Sequence, residues 1–225
     1  MNRIRVAIDG PSGAGKSTLA RSLAARLGFL YVDTGAIYRT IGYHIDQKGL
    51  DPHDGEAVAG ELPQIRVEAV HGEDGLQHML LNGRDVTEEI RLPEVSLYAS
   101  AVSAHPCVRD YLLDMQRQLA STHSVIMDGR DIGTVVLPDA EVKIYLTASP
   151  EVRAKRRMRE LEQRGTPEPY EEVLRAIQER DWNDTHRSAA PLRQAEDAVV
   201  LDTTDLDFAQ SEAALLGIIR ERTGA

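Results

Sequence analysis

The chain has 225 residues and a formal charge of −10, from 36 acidic against 26 basic side chains, which removes any general attraction to nucleic acid. Hydrophobic residues make up 42%, with two Phe and one Trp, so one α/β domain with an insertion, or two small domains, would draw its core from Leu, Ile, Val and Ala. Cys107 is the single cysteine and the seven His show no ligand spacing, so no intrachain disulfide and no nitrogen- or sulfur-based metal site is expected, and Cys107 reads as a small buried residue in a reducing compartment.

The first nine residues are too short and polar for a signal peptide, and no apolar run approaches the roughly 18 residues of a membrane span, so a cytoplasmic chain without a membrane partner is expected. Residues 4–8 predict a strand, followed by a Gly-rich turn and a helix over 16–27. A strand over 29–32 and a helix over 36–48, ended by Gly49, come next. A helical stretch covers 93–120. Strands at 124–127, 142–147 and 198–201 alternate with helices at 150–164, 170–187 and 208–222. Strand–helix alternation predicts a doubly wound five-stranded parallel sheet. Residues 60–90 break the rhythm: two period-two stretches flank Asn82-Gly83, a hairpin signal, and predict a small antiparallel insertion on a core of 1–59 and 91–225. Gly83-Arg84-Asp85 is read as turn chemistry.

Gly10-Pro11-Ser12-Gly13-Ala14-Gly15-Lys16-Ser17 fits G-x-x-x-x-G-K-[ST] at every fixed position, after an apolar strand and before a helix. The backbone there must curl so that its N–H groups converge on phosphate oxygens, which a Cβ at the glycines would prevent. Lys16 is then expected to reach the β- and γ-phosphates of ATP, Ser17 to ligate Mg²⁺ largely through ATP and water, and Thr18 to contact the nucleotide less directly.

No guanine-reading Asn-Lys-x-Asp is present. The strand at 124–127 runs into Asp128-Gly129-Arg130-Asp131: Asp128 can serve the magnesium shell, and Arg130 points to a second anion. Arg153, Lys155, Arg156, Arg157, Arg159 and Arg164 reverse the sign of the chain within twelve residues. They read either as a solvated helix face or as a mobile lid over 153–170 whose guanidiniums, Arg153 and Arg157 among them, stabilise a transferring phosphoryl group. On the helix from Tyr170, residues 170, 173, 174 and 177 form an apolar stripe. Arg180, Asp184 and Arg187 fall about 60° from it at 100° per residue. Such charges are costly to bury unless paired, so they line a cleft for a charged ligand or form a structural pair.

These motifs together resemble the bacterial cytidylate kinases, within the nucleoside monophosphate kinase group. The resemblance spans nearly the whole chain. It rests on Ile8–Thr18, the run Asp33-Thr-Gly-Ala-Ile-Tyr-Arg39, the run from Asp128 to Val136, Arg156-Arg-Met158, Glu179-Arg-Asp181 and Ala190-Pro-Leu192. It implies transfer of the ATP γ-phosphate to CMP or dCMP, with the acceptor phosphate on Arg39, Arg130 and Arg187. It also implies a base read by Ser100, Arg109 and Asp131, with Arg180 and Asp184 toward the sugar. Thr34 stands where the family pattern has Ser, which keeps the hydroxyl. Cytosine offers an amino donor that a carboxylate accepts, whereas uracil turns a carbonyl toward it, so CMP and dCMP are expected ahead of UMP. A kinase for another acceptor (UMP, AMP), or an ATP-binding switch, is the alternative; a switch needs no second-site arginines. Nothing in the sequence demands more than a monomer.

Overall fold

A computed structural model describes residues 3–72, 75–163 and 165–224. Arg164, one of the basic residues of the expected lid, and residues 73 and 74 of the expected insertion lie outside them. In chain order the elements are β1 (Arg5–Asp9), α1 (Lys16–Leu27), β2 (Leu30–Asp33), α2 (Thr34–Gln47), α3 (Gly55–Glu61), β3 (Val67–His71), β4 (Gln77–Leu81), β5 (Arg84–Asp85), α4 (Pro93–Val102) and α5 (Pro106–Thr122). There follow β6 (Val125–Gly129), a π-helical turn (Ile132–Val136), β7 (Val142–Thr147), α6 (Pro150–Gln163), α7 (Tyr170–His186), β8 (Val199–Asp202) and α8 (Phe208–Thr223). Two compact units result, one of residues up to 30 and from 123 onward, the other of residues 31–122.

The large sheet is parallel with strand order β2-β6-β1-β7-β8. Central β1 is buried on both faces from Val6 to Asp9, which is why it reads as a continuous apolar run. Its register puts Ile8 beside Asp128 and Ile144, so the carboxyl ends of β1 and β6 finish together. In α1, Leu19, Ala20, Leu23 and Ala24 form a buried stripe against β1 and β6, and Gly28 in the left-handed region (φ 68°) ends the helix. α8 opens with a capping box, Asp207 with Gln210, and rests Leu215, Leu216 and Ile219 against β7 and β8. The expected stripe of α7 is buried as anticipated. Val173 and Ile177 close a small core with Ala154 and Leu161 of α6, and Tyr170, Leu174 and Met158 pack on it. Among the described residues no helix is long and apolar enough to cross a membrane.

The second unit holds α2–α5 and the inserted sheet β3-β4-β5, in which the segment expected at 60–90 is antiparallel. Asn82 (φ 52°) and Gly83 (φ 81°) both take the left-handed conformation of a two-residue hairpin turn. The Gly83-Arg84-Asp85 tripeptide is both turn and strand: Arg84 and Asp85 pair with Leu81 and Leu80, while the Asp85 carboxylate accepts from the N–H (2.9 Å) and hydroxyl (2.6 Å) of Thr87.

Four features differ from expectation. The helix read over 93–120 is two helices, because Pro106 has no N–H to continue the ladder and the chain turns through Ser103–His105. α3 begins on the Asp54 N-cap, which accepts from the Glu56 and Ala57 N–H groups, and at seven residues is too short for a periodicity to reveal. α7 stops at His186, so Arg187, with an extended backbone (φ −61°, ψ 144°), is not on its face. Cys107 is partly exposed.

Gly42 decides the contact between α2 and α4. A Cβ there would lie 2.7 Å from the Ala99 nitrogen and 3.1 Å from its Cα. Helix propensity favours alanine by roughly 1 kcal/mol, but those neighbours are backbone atoms and overpacking costs about 1–3 kcal/mol. Gly42→Ala is therefore expected to lower the thermal midpoint; a rise would show that the helices have room to separate.

Candidate active site

Asp9 ends β1 and the phosphate-binding loop begins one residue later. Gly10 passes so close to β7 that a Cβ would overlap the Leu146 carbonyl oxygen. Gly15, left-handed at φ 92°, is the N-cap of α1, so the helix begins at Lys16 with its first N–H groups uncommitted by any side chain. A loop curled with its amides inward turns its carbonyls outward, and cations meet three of them. Lys16 Nζ donates to Pro11 O (2.8 Å), Arg153 to Ser12 O (3.0 Å) and Arg156 to Ala14 O (3.2 Å). Thr18 is exposed.

Arg153 is 3% exposed. Besides Ser12 it donates to Ala148 O (2.8 Å) and makes a two-pronged pair with Asp181 of α7 (3.0 and 2.5 Å). Arg156, one turn along, also donates to the Thr203 carbonyl (2.8 Å) and hydroxyl (3.2 Å). The basic run thus divides. Arg153 and Arg156 clamp the loop, where Arg153 had been expected to move freely in a lid, whereas Arg157 faces out and pairs with Glu160 (3.1 Å).

Beneath the loop lies a set of buried charges. Ser17 Oγ donates to Asp128 Oδ2 (2.8 Å). This hydroxyl and carboxylate at the end of β6 form an all-oxygen donor pair suited to a hard cation such as Mg²⁺, with phosphate and water completing its shell. Among the described residues no group of three His, Cys, Asp or Glu could hold a metal by itself. Arg130 Nε donates to Asp184 Oδ2 (2.6 Å). Burial alone would raise the Asp184 carboxyl, but Arg130, Arg180 and Arg187 together hold it below its ordinary value. The Arg187 guanidinium stands 4.0 Å from Asp131 and donates to Ala190 O (2.9 and 2.6 Å). Ala190 is left-handed (φ 44°), a conformation an alanine adopts only when its surroundings enforce it. The structure therefore brings Lys16, Ser17, Asp128, Arg130, Asp131, Asp184 and Arg187 into one linked set within the first unit.

Asp9 belongs to the same set and was missed in the sequence, although an acid closing an apolar strand before the loop is a legible signal. Its carboxylate accepts from the N–H groups of Ile132 and Gly133, both at 2.7 Å, at the start of the π-helical turn that follows Asp131. Burial, countered by those two bonds, pushes the Asp9 carboxyl up to about 7. Burial and the neighbouring Arg130 bring Lys16 down to about 7.

In the second unit, Asp33 N-caps α2 by accepting from the Ala36 N–H (2.8 Å) and pairs with Arg39 (2.9 Å), while Thr34 is 3% exposed. The Arg109 guanidinium lies 5.4 Å above the Tyr38 ring and donates to Ser103 O (3.0 Å). Ser103 in turn donates to Ser100 O (2.9 Å). Asp33, Tyr38 and Ser103 were not anticipated; of these only the N-cap carried a sequence signal. Trp182, opaque in the sequence, is 62% exposed and stacks on His186, ring centroids 4.5 Å apart.

The two displaced protons act oppositely on stability. Asp9 in the folded protein keeps a proton that the unfolded chain has released, so its stabilising contribution is whole below pH 3.8 and is lost as pH rises through about 7. Lys16 has shed a proton the unfolded chain still binds, so its contribution grows between about 7 and 10.5. Urea melts at pH 4, 5, 6 and 7 should find the stability of the parent minus that of Asp9→Asn falling with pH, by at most about 1.4 kcal/mol per unit. A difference that is flat or rises would contradict the assignment.

A family model described as cytidylate kinase matches residues 6–221. The cytidylate kinase of Caldicellulosiruptor bescii is 51% identical over 92% of this chain and 92% of its own length. That of Carboxydothermus hydrogenoformans is 50% identical over 96% of this chain and 97% of its own. A solved structure of an uncharacterized protein from Eubacterium ventriosum shares the fold at a TM-score of 0.50 and 12% identity, covering 98% of this chain and all of that one. With a family match over nearly its full length and relatives at half identity, the chain belongs to the cytidylate kinase family.

Proposed function

We propose that this protein transfers the γ-phosphate of ATP to CMP or dCMP, giving ADP and CDP or dCDP. Beyond family membership, the observation that supports this reading is the buried set of Arg130, Arg187, Asp131 and Asp184 in the same unit as a phosphate-binding loop. A kinase whose acceptor is itself a phosphate needs a cluster of guanidiniums for that second anion.

We assign the acceptor phosphate to Arg39, Arg130 and Arg187, the base to Ser100, Arg109 and Asp131, and the sugar side to Arg180 and Asp184, and count Thr34 among the CMP-binding residues. A phosphate monoester has its second pKa near 6 and is already largely dianionic at neutral pH, so no general base is needed. The task is to hold two anions in line and free of water against their repulsion. Main-chain N–H groups of the Gly10–Gly15 loop, other than that of Pro11, which has none, serve the ATP phosphates, and Lys16 adds a charge that the incoming phosphates would restore. Ser17, with Asp128 hydrogen-bonded to it, would hold Mg²⁺, which would supply positive charge to the phosphate oxygens. Arg153 positions the loop. Arg157, whose surface pair with Glu160 is worth little, is the α6 arginine free to exchange a carboxylate for a phosphoryl oxygen. We place the enzyme in the cytoplasm, acting as a monomer.

The deciding experiment is ADP release with CMP, dCMP, UMP and AMP. CMP and dCMP should exceed UMP by about 10- to 100-fold in kcat/KM, since a buried carboxylate facing a carbonyl loses its hydrogen bond. Equal turnover of UMP would remove Asp131 from base recognition. Lys16→Ala should lower kcat by about 10²-fold or more, and Arg187→Ala should raise the KM for CMP about tenfold; an unchanged KM would free Arg187 from the acceptor.

A further inference from the structure

β2 stands at the end of the strand order, so among the described residues one of its edges has no neighbouring strand. Its main-chain groups alternate in direction. Leu30 sends its N–H to Ser124 O (2.9 Å), and the outward set belongs to Tyr31 and Asp33. Side chains meet three groups of that outward set. His71 Nε2 donates to Tyr31 O (2.8 Å), Gln77 Oε1 accepts from the Asp33 N–H (2.8 Å), and Gln77 Nε2 donates to Asp33 O (3.1 Å). His71 and Gln77 are directly opposite each other in the β3–β4 register. One cross-strand pair of side chains thus supplies two donors and one acceptor to this edge, as main-chain groups of a neighbouring strand would. Gln77 is 8% exposed and shares the inward face of β4 with Met79, where an apolar residue would be the default.

What the pair grips matters more than the edge itself. With both main-chain groups of Asp33 held by Gln77, the Asp33 carboxylate is aimed: one oxygen caps α2 through the Ala36 N–H and the other pairs with Arg39. There is little slack. A Cβ on Gly35 would lie 3.1 Å from both a guanidinium nitrogen of Arg39 and Asp33 Oδ1.

We propose that Gln77, assisted by His71, is a positioning residue for Arg39. The inserted antiparallel sheet fixes the Asp33 backbone, and Asp33 presents the Arg39 guanidinium to the acceptor phosphate. This rests on the reading of Arg39 as a ligand of that phosphate, and the test separates the two. Gln77→Leu keeps the volume and removes both bonds to Asp33. It should raise the KM for CMP about tenfold, leave the KM for ATP unchanged and kcat within about threefold, and in the Arg39→Ala background should add almost nothing. His71→Leu should shift the same constant by a smaller factor, and serves as the test if Gln77→Leu folds poorly. A lower thermal midpoint with an unchanged KM for CMP, or effects of Gln77→Leu and Arg39→Ala that simply multiply, would overturn the proposal. If Arg39→Ala itself leaves the KM for CMP unchanged, the fault lies in the assignment of Arg39.

Discussion

The constraint on which the first unit depends is that a loop cannot point its amides at an anion without pointing its carbonyls elsewhere. Here those carbonyls are met by charge. Pro11, Ser12 and Ala14 receive donors from Lys16, Arg153 and Arg156, and the two arginines lie one turn apart on α6. Arg153 then passes the restraint on to α7 through Asp181, and Arg156 to the loop after β8 through Thr203. Side chains at some distance along the chain thus restrain the loop. That pre-organisation spares the bound state the cost of ordering the cradle.

The same economy governs the charges under the loop. Burying a carboxylate or a guanidinium is expensive unless it is paired, and here every buried charge has opposite neighbours: Arg130 with Asp184, Arg187 with Asp131, Lys16 with Asp128 and Asp184. The pairing is incomplete at two points, where Asp9 keeps its proton up to about pH 7 and Lys16 gives its own up near the same value. Both respond to burial first. Buried charges of this kind interact more strongly than they would in water.

The sequence carried the regular elements well and the buried charges poorly. α1 and β7 fall where periodicity and the glycine stops place them, and the Asn82-Gly83 turn has the backbone that its dipeptide demands. The break at Pro106 was legible too, had the missing N–H been weighed against a long helical pattern. Arg153 was not: among six basic residues within twelve positions, nothing local distinguishes the one that Asp181, twenty-eight residues on, draws into the interior. Arg187 shows the limit of a helical wheel, since its place near Asp131 is set by the Ala190 turn, after the helix has ended. Gln77 sits in an ordinary alternating strand, and its partner on β2 is forty-four residues back.

The loop and its lysine are held, partly discharged, for an incoming polyphosphate. Calorimetry of ATP binding at pH 8, in buffers of differing ionisation enthalpy, tests it most directly. Phosphates arriving at a Lys16 brought down to about 7 should restore its charge, so net proton uptake on binding is predicted. Binding with no proton exchange, or with release, would mean that Lys16 is fully charged before ATP arrives, and would contradict the discharge of this lysine by burial.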